Sequence, residues 1–295
     1  MRSETFSTPG PLLLNLEIPA GRIEIETGDT DETHVELEAH SNNEQVQEMV
    51  EASRIELVRR GDGYEVVVET RTRHGIWISF SKGPDIRLGQ PEIHLRVSCP
   101  RGADLDVRTK SANLSARGDY GSTEVKTASG DVSVEHAGDL RVKTASGDVQ
   151  ADRVDGALEV HSASGDLHAG TVARDVNVQL VSGDMFIRDA GGSVSANTVS
   201  GDQRLEAVTQ GRMELRAISG DISVGIRQGA RLFVDANTVS GSTSSEFELG
   251  DAPAGQPAPE GGPLVEVFAK TVSGDVRIER APAAQEARTE LTKKA

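Results

Sequence analysis

The triplet Ser-Gly-Asp recurs seven times in this chain of 295 residues, and its spacing constrains the fold more than any other feature. The intact triplets begin at Ser129, Ser146, Ser164, Ser182, Ser200, Ser219 and Ser273, and degenerate copies begin at Ser111 and Ser240. From Ser111 to Ser219 the serines follow at steps of 17 to 19 residues, and the last two steps are 21 and 33 residues. A fixed period of this length predicts one structural unit per repeat, stacked on its neighbours.

Each repeat predicts two short β-strands. Apolar residues alternate with polar ones after each triplet, as at Val132 and Val134, and alternate again after a mid-repeat glycine turn, as at Leu140 and Val142. Period-two alternation bounded by Gly and Asp favours strands over helices. Strands this short bury a face only by stacking, so the sequence predicts an all-β parallel β-solenoid with about 18 residues per coil. Aromatic residues make up only 3% of the chain, which suits a narrow core.

The triplets are predicted to form the corner of the solenoid. Gly allows the positive φ of a sharp turn, and Asp and Ser can bond backbone amides there. Stacking would place the aspartates in one column: Asp131, Asp148, Asp166, Asp184, Asp202, Asp221 and Asp275. The favoured interpretation is a solvated column held by turn amides. A ladder of cations is the alternative, since calcium-binding β-rolls also stack glycine-aspartate turns, although their nine-residue consensus is absent.

The residue before each serine is small or β-branched, and we expect it to pack against its equivalents in the coils above and below. These residues are Ala128, Ala145, Val181, Val199, Ile218 and Val239.

Three segments are predicted along the chain. Residues 1–110 lack the triplet, but their apolar and polar residues still alternate as in β-strands. They predict an irregular β cap with the first coils, and one short helix over 43–50. Residues 111–280 form the Ser-Gly-Asp solenoid, interrupted by a Pro/Gly-rich insertion at 250–263 that explains the 33-residue step. Residues 281–295 form a polar tail.

The composition limits the classes of partner and the cellular compartment that we expect. The net charge of −16 and pI near 4.9 argue against nucleic acid and against an anionic membrane surface. No signal peptide or membrane span is evident, so no membrane insertion is expected. The single cysteine, Cys99, excludes an internal disulfide and fits a reducing compartment. We therefore expect a cytoplasmic protein with Cys99 as a buried, inert thiol at a strand end.

One segment is unusually rich in large apolar side chains. The stretch from His74 to Phe80 holds the only tryptophan, and its candidate partner-binding residues are His74, Ile76, Trp77, Ile78 and Phe80. Two interpretations stay open: a cap that packs onto the first coil, or an exposed edge that binds a partner.

The usual catalytic and metal-binding motifs are absent. The sequence has no His-Glu-x-x-His, no phosphate-binding Gly-rich loop, no Cys-x-x-Cys and no Gly-x-Ser-x-Gly. Outward positions of the second strands alternate in charge, as at Glu124 and Arg141, which is typical of a solvated sheet face. We therefore expect no catalytic residue, no metal site and no cofactor.

The Ser-Gly-Asp-Val/Ile pattern resembles the bacterial putative-adhesin family of Ser-Gly-Asp β-strand repeats, also called the toastrack domain. The resemblance covers roughly residues 12–280. It implies a right-handed β-solenoid, often attached to membrane segments in envelope-stress proteins and taken to be a binding or sensing module. It carries over no catalytic residue.

The function expected from the sequence is a non-enzymatic β-solenoid scaffold or protein-interaction module. The family resemblance links it to envelope stress or adhesion, and its partner is an unknown protein or a second copy. The alternatives are a self-assembling β-helical filament, a cation-binding protein and a polysaccharide-active enzyme.

Overall fold

The computed structural model describes residues 1–40, 44–70, 93–247 and 262–282. The chain divides into two compact units, residues 1–147 (unit 1) and 148–295 (unit 2). The predicted binding segment, His74 to Phe80, lies outside the described residues. So do residues 250–261 of the predicted insertion and residues 283–295 of the predicted tail.

Unit 1 is built from nine strands and one short helix in its described residues. They are β1 (Arg2–Ser7), β2 (Leu12–Gly28), β3 (Glu32–Ala39), α1 (Glu44–Glu51), β4 (Arg54–Arg60), β5 (Gly63–Glu69), β6 (Ile93–Pro100), β7 (Ala103–Ser129), β8 (Val132–Ala137) and β9 (Leu140–Ser146). The predicted helix over 43–50 corresponds to α1, whose Val46 and Val50 are buried.

Two long strands organise unit 1. The first half of β2 pairs in parallel with β5 and with the start of β7, and its second half pairs with β6 and with the middle of β7. The middle and end of β7 then pair in parallel with β8 and β9. Antiparallel strands complete the unit: β1 pairs with β3, β3 with β6, and β4 with β5. The irregular β region expected near the N-terminus is therefore a parallel stack flanked by antiparallel strands.

Unit 2 contains thirteen strands in its described part. They are β10 (Val149–Val154), β11 (Leu158–Ser164), β12 (Leu167–Val172), β13 (Val176–Ser182), β14 (Met185–Ala190), β15 (Val194–Ser200), β16 (Gln203–Val208), β17 (Gly211–Ser219), β18 (Ile222–Ile226), β19 (Arg231–Ser240), β20 (Thr243–Ser245), β21 (Leu264–Ser273) and β22 (Val276–Arg280).

The strands of unit 2 form two parallel ladders. One ladder runs β10, β12, β14, β16, β18, β22, β20, and the other runs β11, β13, β15, β17, β21, β19. Paired residues are 18 apart from β10 to β16, for example Val149 with Leu167. The parallel β-solenoid with about 18 residues per coil is thereby confirmed.

The last two coils do not follow chain order. β21 pairs with β17 on one side and β19 on the other, and β22 lies likewise between β18 and β20. In chain order, β19 and β20 come first and form the outermost described coil. The following strands, β21 and β22, lie beneath that coil, next to β17 and β18. The 33-residue step in the sequence marks this inversion, which motif spacing alone did not predict.

The core follows the predicted alternation. Val142 is fully buried and its neighbour Lys143 is exposed, as expected. One inward column of unit 2 reads Val149, Leu167, Met185, Gln203, Ile222, Val276. The glutamine in this column is fully buried, and its Oε1 has no hydrogen-bond partner. Cys99 is buried as expected, and burial raises the pKa of its thiol to about 12.

Candidate interaction surface

The aspartates of the triplets form a hydrogen-bonded ladder at the corner of unit 2. Each carboxylate accepts a hydrogen bond through Oδ1 from the backbone N–H of the aspartate one coil along, at 2.7–2.9 Å. The ladder runs Asp148, Asp166, Asp184, Asp202, Asp221, Asp275, and ends at the N–H of Ser242. In unit 1 the N–H of Asp131 donates to Asn113 Oδ1 at 3.0 Å. Backbone amides therefore supply a positive partner to each of these acceptor oxygens.

The last carboxylates of the ladder also contact an arginine. Arg277 donates to Asp221 Oδ2 at 3.0 Å and to Asp275 Oδ2 at 2.9 Å. The amide and hydroxyl of Ser242 and the guanidinium of Arg277 together hold the pKa of Asp275 below its usual value. The residues that the structure describes contain no group of three or more His, Cys, Asp or Glu placed to hold a metal ion. That turn amides hold the column, and that it binds no cation in solution, stays a prediction.

The glycine of each triplet allows the coils to stack closely. At Gly183 the backbone has φ +135°, and a Cβ added there would collide with the carbonyl oxygen of Gly165 in the coil below. Only glycine combines this backbone conformation with so close an approach. The aspartate ladder and the serine row beside it are thus held in register.

The residues before the serines form an exposed apolar row. Five successive strands of one ladder each contribute a β-branched residue: Val181 (54% exposed), Val199 (45%), Ile218 (54%), Val272 (50%) and Val239 (83%). They are neighbours because the serines that follow them are paired from strand to strand. We call these five residues the apolar row.

The expected packing of these side chains against their equivalents in neighbouring coils is compatible with their exposure. They stand side by side, but they lie on the outer surface, because each occupies an outward position between an inward residue and the corner serine. The preceding members, Ala128 and Ala145 of unit 1 and Ala163 of unit 2, are also exposed but much smaller. Large apolar surface therefore begins at Val181 and continues to Val239.

Polar and aromatic side chains border the apolar row. The adjacent outward positions are Gln179, Asn197, Arg216, Lys270 and Asn237. Farther along the same strands, the rings of Phe233 and Phe268 lie 5.7 Å apart, and the guanidinium of Arg212 lies 4.3 Å from the Phe268 ring centroid. Elsewhere the outward positions are charged as expected from the sequence: Glu124 lies opposite Arg141 in the ladder, and it also pairs with Lys126 of its own strand at 2.6 Å. This face combines an apolar strip with a rim of hydrogen-bonding and cationic groups, and with carboxylates farther along the strands, such as Glu214, which lies 3.8 Å from Arg216.

Comparison with known proteins identifies the family. The Toastrack DUF4097 family model matches residues 14–279, which is most of the chain. The chain therefore belongs to the Toastrack DUF4097 family, and the resemblance inferred from its repeats is confirmed at that level. No curated protein matches the sequence significantly. Within the described residues, no helix has the length and apolar character needed to span a bilayer.

Three solved structures are similar over nearly the whole chain. Two come from Parabacteroides distasonis: a putative lipid binding protein (12% identity, TM-score 0.49) and a putative adhesin (12% identity, TM-score 0.43). The third is a putative adhesin from Bacteroides fragilis (10% identity, TM-score 0.38). Each match covers 94% of this chain and 96% of the other. At these identities and TM-scores, the names of the three proteins say nothing about what this chain binds.

Proposed function

We propose that this chain is a non-enzymatic interaction module that binds a protein partner along the apolar row of unit 2. The observation that carries the proposal is the exposure of five neighbouring β-branched side chains, from Val181 to Val239. Contiguous apolar surface rimmed by polar residues is typical of protein-interaction sites.

The geometry of the row suits an extended or amphipathic partner. Adjacent strands lie about 4.8 Å apart, so five strands present a strip of roughly 20 Å. The parallel ladder fixes the spacing of the side chains, and the corner ladder of aspartates keeps the strands in register. A partner would therefore meet a preformed surface, and little ordering of that surface would oppose binding.

The rim indicates the polarity of the partner. Arg216 and Lys270 are exposed and lie one outward position from Ile218 and Val272. These two cations flank the middle of the row in a chain whose net charge is −16. A segment with apolar side chains and nearby carboxylates would complement this arrangement.

The experiment is capture of partners from a lysate of the native host, with the full chain as bait. The test variant is Val199→Thr, Ile218→Thr and Val272→Thr, which keeps every side chain β-branched and replaces one methyl of each valine, and the ethyl of the isoleucine, by a hydroxyl. Each buried hydroxyl without a partner costs about 1 kcal/mol, so the triple change should weaken capture at least about ten-fold. The matched control is Gln150→Ser with Arg204→Ser, two exposed positions on the other ladder.

Unchanged capture by the triple variant, with the control also unchanged, would refute the apolar row as the binding surface. Two further expectations accompany the proposal and stay predictions: that the protein acts without turnover, and that it resides in the cytoplasm. The link to envelope stress or adhesion rests on family resemblance.

A further inference from the structure

Strand β19 is the outermost strand of its ladder in the described part of unit 2. It pairs with β21 alone, and the N–H of Arg231 donates to the carbonyl of Pro263 on that side at 2.8 Å. Backbone groups of successive residues in a strand point to opposite sides. The N–H and C=O groups of Leu232, Val234, Ala236 and Thr238 are therefore directed away from β21, as a template for one more strand.

The inward side chains of β19 are less well covered than those of the strand beneath it. Leu232, Val234 and Ala236 are only partly buried, whereas Val265 and Val267 of β21 are fully buried. The apolar core therefore continues to the edge of the ladder, and a strand added there would gain apolar contacts as well as backbone hydrogen bonds.

The outward side chains of β19 are arranged symmetrically about Ala236. Phe233 (51% exposed) and Val239 (83% exposed) lie three positions before and after it, and Asp235 and Asn237 lie one position before and after it. A strand with this symmetry is complementary to a second copy of itself in antiparallel orientation.

We propose that two copies of the chain pair antiparallel through β19, with Ala236 on the two-fold axis. In this register Phe233 of each copy lies opposite Val239 of the other, an aromatic and β-branched pair of the kind that stabilises sheets. Asp235 lies opposite Asn237, whose Nδ2 donates one hydrogen to Asp235 Oδ1 of its own strand at 2.7 Å and has a second hydrogen for the facing carboxylate. The interaction is isologous, so it closes at a dimer and does not extend into a filament.

Neighbouring registers are less favourable. Centring the pair on Asp235 would place two carboxylates directly opposite each other, which is destabilising. Centring it on Val234 would place Phe233 opposite Asp235 and leave Val239 without a partner. The register centred on Ala236 is the longest that avoids both faults, since it spans Leu232 to Ser240.

The first test is the mass of the full chain by sedimentation or mass photometry, between about 0.1 and 100 µM. We expect a reversible dimer. Ala236→Pro removes an N–H that points away from β21, a position where a strand tolerates proline. This variant should be monomeric over the whole range with an unchanged circular dichroism spectrum. Wild-type protein that is monomeric throughout would overturn the proposal.

A second variant covers the case in which the proline unfolds the chain. Phe233→Ser with Val239→Ser leaves the backbone intact and removes both outward apolar contacts, so dimerisation should weaken at least ten-fold. A dimer of unchanged strength in this variant would overturn the register.

Cysteine crosslinking tests the register directly. Mixed Asp235→Cys and Asn237→Cys chains should form an intermolecular disulfide on mild oxidation, because the two positions face each other in the non-hydrogen-bonded pair, where side chains are closest. Each single variant alone should crosslink poorly. Equal crosslinking by all three samples would contradict the register.

The inference does not rest on the proposed function, and the two can fail separately. The triple variant of the apolar row keeps Phe233, Ala236 and Val239, so it should dimerise like the wild type. Loss of dimerisation in that variant would place the contact between copies on the apolar row and would overturn edge pairing.

Discussion

The edge strands of the two units differ in how they are protected. In unit 1, β4 carries three arginines and a glutamate in seven residues, and Arg54 and Arg60 pair with Glu69 and Glu65 of β5 at 3.9 and 3.7 Å. In unit 2, β19 carries one arginine and one aspartate in ten residues, with Phe233 and Val239 exposed. Charge on an edge strand discourages pairing with other chains. One fold can therefore carry an edge strand protected by charge, such as β4, and another that is open to pairing with a further strand, such as β19.

The antiparallel pairs in unit 1 add to this protection. β1 is covered on one side by β3, and its outward Ser3 Oγ lies 3.5 Å from His34 Nε2. Beside it, Thr5 Oγ1 contacts His34 Nδ1 at 2.9 Å. Polar side chains thus occupy the outward positions of β1. In β19 the outward positions include the exposed Phe233 and Val239, and Val239 also belongs to the apolar row, so the edge and the binding surface meet there.

The largest expected effect contrasts an inner coil with the open edge. Val142→Asp should cost several kcal/mol, because it leaves an unpaired charge in a fully buried position. Lys143→Asp should cost less than about 1 kcal/mol, since it is an exposed position. Val234→Asp should lie between them, because Val234 is inward but only partly buried.

Urea unfolding of dilute protein measures all three changes. Equal midpoints for Val142→Asp and Lys143→Asp would contradict the inward assignment. A loss from Val234→Asp as large as that from Val142→Asp would show that the edge of β19 is covered in solution, and would remove the contrast between the units.

A second contrast concerns glycines with positive φ. Gly183→Ala should destabilise the chain by about 3 kcal/mol, because its Cβ would collide with the backbone of Gly165 in the preceding coil and would also strain φ. Gly61 in unit 1 has φ +61° with open space around it, so Gly61→Ala should cost only about 1 kcal/mol. Thermal denaturation compares the two. Similar losses of stability in the two variants would mean that the close approach of the coils at Gly183 adds no cost to the substitution.

The solenoid could be predicted because its determinants are local and repeated. Each Ser-Gly-Asp turn restricts the backbone in the same way, and alternation assigns residues such as Val142 and Lys143 to opposite faces without knowledge of the partner strand. The aspartate ladder follows from the same period, since equal steps place equal residues one above another. Cys99 could likewise be assigned to the interior from its place in an alternating strand.

The binding surface could not be predicted in the same way. Alternation places Val199 and Ile218 at outward positions, but it does not indicate which strands lie beside them, and therefore not that Val272 and Val239 complete the row. The open edge of β19 is even harder to predict from the sequence, because it depends on the position of β21 between β17 and β19. A 33-residue step is compatible with either coil order. The signal that was available is the change from alanine to valine and isoleucine along the row.

A third prediction concerns the interior of unit 2. Gln203 lies between Met185 and Ile222 in an otherwise apolar column, and its Nε2 donates to Thr198 Oγ1 and to the Arg216 carbonyl at 2.9 and 2.8 Å. Its Oε1 is buried without a partner, which costs about 1–3 kcal/mol. Gln203→Met should therefore stabilise the chain by about 1 kcal/mol, seen as a higher urea midpoint. A lower midpoint would show that the two donated hydrogen bonds outweigh the unpaired oxygen.

The smallest expected effect lies at the end of the aspartate ladder. The pKa of Asp275 is held below its usual value of 3.8, first by the amide and hydroxyl of Ser242 and then by Arg277. A carboxyl whose pKa is lower in the folded state stabilises the fold above its unfolded pKa, and this contribution is lost as pH falls through the folded pKa. Asp275→Asn should thus lower the urea midpoint slightly at pH 7 and leave it unchanged near pH 2. Because the asparagine side chain keeps an oxygen for the Ser242 amide, the difference reports mainly on Arg277, and it should shrink when Arg277→Gln is added. A difference that persists at pH 2 would show that the contribution of Asp275 does not depend on its charge, and that the ladder ends as a neutral hydrogen-bonded turn.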